Sequence, residues 1–200
     1  GEITITSNNT PEDTATTFNI DLSNVADGAD TTIIDNRLYL QVGDGATDGT
    51  LVYNGATLNK SAITGVPGIA DGDYYVVEPV EYDSSLSFEY TPAANESGQV
   101  TLNAFVNSQE AGASNTITSS ETDTFEVTPV VDGVTITPQN VSGDEDSVIE
   151  VPFSLSQADS VETIVSMTLN DVPLGYNVFI GPDSANLTLA SNLGANANSK

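Results

Sequence analysis

Acidic residues recur along this chain in short groups set among glycine, asparagine and serine: Glu12-Asp13, Asp27 with Asp30, Asp44 with Asp48, Asp71 with Asp73, Asp132, and Glu145-Asp146. Such loops offer carboxylate, amide and backbone oxygens without a rigid geometry. That donor set suits calcium, a hard cation taking about six to eight oxygens, better than magnesium with its strict octahedral demand. Asp132, Glu145 and Asp146 stand where a domain begins and are the leading candidate for a calcium site between domains; the plainer reading is a solvated linker with acidic turn residues. Glu12 and Asp13 would play the same part toward a domain preceding this one. The pairs Asp27/Asp30, Asp44/Asp48 and Asp71/Asp73 could each complete a site, although a chain with 29 acidic residues produces such pairs easily. No EF-hand loop and no Gly-Gly-x-Gly-x-Asp array occurs.

Other chemistries find few residues to work with. Histidine and cysteine are absent, which removes Ser-His-Asp and Cys-His catalysis, the common zinc sites and any disulfide. A paired-carboxylate glycosidase stays formally open, but there is no tryptophan to form a sugar platform. Tyr74, Tyr75, Tyr82 and Tyr90 could face a ligand, yet aromatics near strands more often pack across them. The expectation is a protein that is not an enzyme. Three basic residues against 29 acidic ones give a formal net charge of −26, so nucleic acid is a poor partner, phosphate binding needing Lys and Arg. The same excess opposes compaction unless cations sit among the carboxylates. No apolar run approaches the roughly 18 residues of a membrane span, so membrane insertion is not expected.

The elements that would position these acids read as short strands. Apolar residues alternate at Phe18, Ile20, Leu22; Leu38, Leu40, Val42; Leu86, Phe88, Tyr90; Val100, Leu102, Ala104, Val106; Phe125, Val127; and Ile149, Val151, Phe153, Leu155. Period-two alternation marks a half-buried strand. Between the runs lie Asp27-Gly28, Asp44-Gly45, Asp48-Gly49, Asn54-Gly55 and Asp71-Gly72, the turn chemistry of sandwiches and barrels. No helical period persists, and the fold class is all-β, with tandem immunoglobulin-like antiparallel sandwiches.

An internal repeat supports the tandem. Glu12-Asp13-Thr14 matches Glu145-Asp146-Ser147, and the same shift lays Phe18, Ile20 and Leu22 on Val151, Phe153 and Leu155. Upstream, Ile3-Thr4-Ile5-Thr6 matches Val134-Thr135-Ile136-Thr137, with two extra residues before the second acidic pair. Residues 1–130 are expected to form one sandwich and 131–200 the start of a second. The second copy has about half the strands of the first, so it is either of a shorter type, split by an insertion, or truncated; half a sandwich would leave long unpaired edges.

With these residues in view, the chain resembles the extender region of large bacterial surface adhesins of the repeats-in-toxin (RTX) type, with cadherin-like or immunoglobulin-like tandem repeats. The resemblance rests on Pro11-Glu12-Asp13-Thr14, Gly49-Thr50-Leu51-Val52-Tyr53-Asn54-Gly55, the run from Phe88 to Gly98, and Val127-Thr128-Pro129-Val130-Val131-Asp132. In the second copy Asp159 to Val172-Pro173 is similar to the family's acidic loop, with Asp159 and Glu162 as its remaining acids. The resemblance implies a non-catalytic spacer of a secreted, cell-surface adhesin serving adhesion or biofilm formation, with Ca2+ at domain junctions. Its partners would be neighbouring repeats of the same polypeptide and, through other domains, a glycan or protein on a target surface. The alternative is a ligand-binding module for glycan or protein, or a split scaffold presenting one.

Overall fold

The computed structural model describes residues 2–23, 31–43, 49–157, 163, 169, 171, 178–181 and 188–189. The chain divides into two units, Gly1–Val130 and Val131–Lys200. Among the described residues there is no α-helix, only a 3-10 turn at Ile34–Asn36.

Unit 1 is a two-sheet, almost wholly antiparallel sandwich of immunoglobulin-like form. Its strands are β1 (Glu2–Thr6), β2 (Thr10–Pro11), β3 (Thr16–Ser23), β4 (Thr31–Ile33), β5 (Leu38–Val42), β6 (Thr50–Tyr53), β7 (Ala56–Thr57), β8 (Lys60–Ile63), β9 (Gly72–Val77), β10 (Ser85–Thr91), β11 (Gly98–Glu110) and β12 (Ile117–Thr128). One sheet runs β1-β3-β10-β6-β7; the other runs β2-β12-β11-β5-β9-β8, with β4 pairing the far end of β11. The alternation seen in the sequence decides which side chains face inward. Phe18, Ile20, Leu22, Leu86, Phe88 and Tyr90 from the first sheet meet Leu38, Leu40, Val42, Leu102, Val106 and Phe125 from the second in one buried core. Asn54 and Gly55, at φ 50° and 77°, make the tight turn between β6 and β7. Positive φ at both central residues is what a type I′ hairpin requires.

Strict alternation fails at Leu38-Tyr39-Leu40 and at Tyr74-Tyr75-Val76-Val77. The reason is a second, smaller core on the outer face of the larger sheet. Tyr39, Ile69 and Tyr74 are buried there, with Ile63, Val66, Val76 and Phe105 packed around them. Tyr74 meets Tyr39 and Phe105 edge to face, with ring centroids 6.3 and 6.0 Å apart. The segment between β8 and β9 lies over this face as a strap. Its Pro67 carbonyl accepts from Asn107 Nδ2 at 3.1 Å and Thr118 Oγ1 at 3.2 Å, and the Ala70 carbonyl accepts from Tyr74 Oη at 2.9 Å. A strand covered on both faces reads as a continuous apolar run, as it does in parallel sheets. Tyr74, Tyr75 and Tyr90 are thus core residues.

Gly49 precedes β6 where two chain segments nearly touch. A Cβ there would collide with the Thr91 carbonyl oxygen and stand 2.7 Å from Tyr90 Cζ. The Gly49 amide also donates to Tyr90 Oη at 3.3 Å, and the Tyr90 ring packs edge-on against Phe125. Gly49→Ala should therefore cost about 1–3 kcal/mol, the usual penalty for overpacking. Thermal unfolding followed by near-ultraviolet circular dichroism checks this; an unchanged midpoint would mean the β5–β6 connection relaxes without strain.

In unit 2 the described strands are β13 (Thr135–Pro138) and β14 (Phe153–Ser156), paired antiparallel, and the short pair β15 (Phe179–Ile180) and β16 (Thr188–Leu189). The β13–β14 register corrects the sequence alignment of the repeat. Ile3 faces Leu22 and Ile5 faces Ile20 in unit 1, while Ile136 faces Leu155 and Pro138 faces Phe153 in unit 2. Both strands therefore repeat at one common offset, and Ile136 is the counterpart of Ile3. The two extra residues inferred upstream do not exist. The Val134-Thr135-Ile136-Thr137 match was produced by Thr/Ile alternation, which looks alike when slipped by two, because side-chain facing has period two. Strand pairing in this repeat begins at Phe153, so Ile149 and Val151 lie before β14.

Candidate functional site

Four segments of unit 1 meet at the end where the chain leaves it: the turn after β2, the start of β3, the β10–β11 connection and the exit from β12. The first is the key to Glu12. After β1 the chain crosses to the other sheet, and β2 pairs parallel with the last residues of β12, Thr10 beside Val127 and Pro11 beside Thr128. Proline suits an edge position because it has no N–H to donate. The crossing continues the pairing beyond Pro11, with the Glu12 amide donating to the Thr128 carbonyl at 2.9 Å. Thr10 Oγ1 donates to the Thr14 carbonyl at 2.9 Å and closes the turn into β3.

This geometry buries Glu12, which is 2% exposed. One carboxylate oxygen, Oε1, accepts from the Val130 amide. The other, Oε2, is buried and has no hydrogen-bond partner among the described residues. A buried carboxylate oxygen left unpaired is costly, and such groups are usually paired or coordinate a metal. Asp13 takes φ 57° in the same turn, and its Oδ1 accepts from the Asn95 amide at 3.2 Å, tying the β2–β3 turn to the β10–β11 connection. A shallow groove of about 250 Å³ runs beside these loops, lined by Tyr90, Pro92, Glu96, Gln99 and Val127 among others. It is smaller than the roughly 300–1,000 Å³ of a typical small-molecule pocket.

Glu12 and Asp13 thus lie at the end from which the chain leaves unit 1, near Val130. The structure shows no preceding domain against which to test the expectation that they face one; Glu2 pairs with Ser23, at the other end of β3 from the acidic pair. The β1–β2 crossing separates the two, carrying the chain from beside Ser23 to beside Val127 before the acidic pair.

The other acids have separate placements. Asp71 Oδ1 accepts from the Gly65 amide at 2.9 Å and so closes one end of the strap, while Asp73 lies in β9 opposite Ala62. In unit 2, Asp132 is half-buried and Glu145 and Asp146 are exposed. Asp146 takes φ 60°, close to the 57° of Asp13, its counterpart in the repeat. Ser147 donates to the Asp144 carbonyl through its amide at 3.3 Å and its hydroxyl at 2.6 Å. Aspartate tolerates the left-handed conformation better than most residues, so the repeated acidic pair has a backbone role besides any ligand role. Asp27, Asp30, Asp44, Asp48, Asp159 and Glu162 lie outside the described residues. Among the described residues, no three acids converge closely enough to hold one metal ion by themselves.

Of the cations, Arg37 pairs with Glu78, which raises its pKa above the ordinary arginine value chiefly through that hydrogen bond. Lys60 Nζ stands over the Tyr75 ring, 5.5 Å from its centre. Among the described residues, no helix is long and apolar enough to cross a membrane.

No family model matches the chain, and no curated protein matches it in sequence. Among solved structures it is similar to a conjugative transposon lipoprotein from Bacteroides eggerthii, 17% identical over 62% of this chain and 94% of that one, with a TM-score of 0.33. It is also similar to AggA, the major subunit of aggregative adherence fimbriae type I from Escherichia coli, 17% identical over 64% of this chain and 93% of that one, with a TM-score of 0.32.

Proposed function

We propose that this chain is a non-catalytic extender segment of a secreted bacterial surface adhesin of RTX type, and that calcium binds at the exit end of its first sandwich. The observation that carries the reading is Glu12: a carboxylate buried by the fold, with one oxygen holding Val130 and the other lacking a protein partner among the described residues. Calcium accepts carboxylate, carbonyl and water oxygens in irregular geometry, so Glu12 Oε2 would serve as one anchoring ligand while backbone oxygens and water complete the shell. Because Glu12 reaches Val130, an ion at Oε2 would also hold the residues at which the chain leaves the sandwich. Fixing them stiffens the segment, and stiffness is what a spacer needs. The charge of −26 supports the same reading, since bound cations offset self-repulsion.

Calcium titration tests it. An ion that binds only the folded chain stabilises it by RT ln(1 + [L]/Kd), about 2.7 kcal/mol when free calcium is a hundredfold above Kd. The melting midpoint should rise with calcium and fall on chelation. Equal effects of calcium and magnesium would point to charge screening alone, and no effect of either would remove the calcium reading.

A further inference from the structure

Residues 7–12 carry the chain of unit 1 from its first sheet to its second and run parallel beside residues 123–130. The two segments are linked along their whole length. Ser7 Oγ donates to Asp123 Oδ2 at 2.6 Å, and the Glu126 amide donates to Asn9 Oδ1 at 2.8 Å. Thr10 and Pro11 pair with Val127 and Thr128, and Thr128 Oγ1 donates to the Thr10 carbonyl at 3.4 Å. Glu12 closes the row, its amide donating to the Thr128 carbonyl at 2.9 Å and its Oε1 accepting from the Val130 amide. The sequence separation of the linked residues stays between 116 and 118, so the links stand in register. β2 itself is only Thr10–Pro11. The side chains of Ser7, Asn9 and Glu12 carry the pairing past both of its ends, and past a proline that has no N–H to give.

The direction of this pairing matters because of where load would enter and leave. Glu2 lies beside Ser23 at one end of the sandwich, and Val130 leaves at the other, just past the β2–β12 pair. β1, β2 and β12 all run toward the exit end. A pull applied at Glu2 and Val130 therefore acts along the strands, drawing residues 2–12 one way and β12 the other. Every link in the row is then loaded together, and a slide of about 1 Å already takes a hydrogen bond out of its range. β1, paired with β3 from Glu2 to Thr6, is loaded in the same sense. A pull across the strands would instead open the links one at a time. We propose that the pairing of residues 7–12 with 123–130 is a mechanical clamp, which makes unit 1 resist tension applied lengthwise through its two ends more strongly than tension applied across the same strands. The role rests on the spacer reading, since a tethered segment is one that carries load. The clamp itself is made of protein groups and needs no ion.

Forced unfolding follows the unfolding barrier rather than the equilibrium stability, so single-molecule pulling is the test. The sequence has no cysteine, and a pair introduced by substitution gives unique attachment points on the full 200-residue chain. Glu2→Cys with Val131→Cys loads the clamp lengthwise. Ala15→Cys with Val131→Cys loads it crosswise, since Ala15, between β2 and β3, lies at the exit end; all three positions are exposed. In chelator, the first rupture force should be about twofold or more higher lengthwise than crosswise at the same loading rate. Adding Ser7→Ala and Asn9→Ala removes two of the side-chain links. It should lower the lengthwise force and leave the crosswise force unchanged, because crosswise opening starts at Val130. Thr122→Val removes a hydroxyl bond of similar kind, to Asn103 Oδ1 at 2.8 Å within the β11–β12 pair, and should change neither force. Equal rupture forces in the two geometries would overturn the clamp, as would a lengthwise force untouched by Ser7→Ala with Asn9→Ala. Should that double variant fail to fold, the comparison of directions in the chain with its links intact still decides. Working in chelator keeps a failure of the clamp distinguishable from a failure of the calcium reading, which the melting titration reports.

Discussion

Phe88→Ala should cost unit 1 about 3–5 kcal/mol, the range for removing a fully buried phenylalanine. Phe88 is 1% exposed and stands in the middle strand of its sheet, with Phe18 opposite on β3 and Tyr53 opposite on β6. Its ring stacks on both, with centroids 5.1 Å from Phe18 and 5.0 Å from Tyr53. Truncation therefore removes apolar burial, leaves a cavity and breaks two aromatic contacts at once, each worth roughly 0.5–1.5 kcal/mol beyond its area. A domain stability of about 5–15 kcal/mol makes this a large fraction of the whole. Urea unfolding should show a lower midpoint with an unchanged slope, since the surface exposed on unfolding barely differs. Phe88→Leu should cost clearly less, because it keeps much of the volume. A loss under about 1 kcal/mol for the alanine variant would mean that the two sheets are not packed tightly at the centre of the sandwich.

Substituting Glu12 should change stability with opposite signs depending on calcium. Glu12→Gln retains the side-chain length and an oxygen to accept from the Val130 amide. It removes the charge and puts an NH2 donor, which cannot ligate calcium, at the second position. Without calcium, the wild-type chain bears the cost of a buried oxygen with no partner, on the order of 1–3 kcal/mol, so the variant should be as stable or more stable. With calcium well above Kd, the wild type gains about 2.7 kcal/mol at a hundredfold excess and the variant gains little. The difference between the two proteins should thus swing by up to about 2.7 kcal/mol between chelator and a hundredfold excess of calcium. Melting midpoints would separate by roughly 10 °C across the two conditions at this domain size. Glu12→Ala is the harsher control, because it also leaves the Val130 amide without its acceptor and should be destabilising in both. A variant equally shifted in calcium and in chelator would show that Glu12 is a structural capping residue and that the ion binds elsewhere. Phe88→Ala, in contrast, should keep its calcium response as long as it folds.

How much of the fold and the site is legible in the sequence varies by residue. The alternation at Phe18-Ile20-Leu22 and Leu86-Phe88-Tyr90 determined both the strands and their inward faces, because a strand has only two sides and apolar residues on one of them must be buried. Asn54-Gly55 determined its hairpin, since few other residue pairs accept positive φ twice in succession. The acidic pairs were visible, and so was their recurrence in a repeat. Which of them the fold buries was not. Glu12 and Glu145 occupy the same place in the repeat, yet one is enclosed and the other is exposed. That difference depends on β2 pairing with the end of β12, a contact between residues more than a hundred positions apart that no local pattern encodes. The outer core beneath the strap is a similar case: Leu38, Leu40 and Val42 read in the sequence as one half-buried strand, and only tertiary structure showed that Tyr39 and Tyr74 are covered on the other face, by Ile69 and the strap held through the Pro67 carbonyl. The alignment of β13 shows the converse limit. Period-two patterns look alike after a slip of two residues, and only the hydrogen-bonded register, set by pairing with β14, decided that Ile136 and not Val134 faces Leu155.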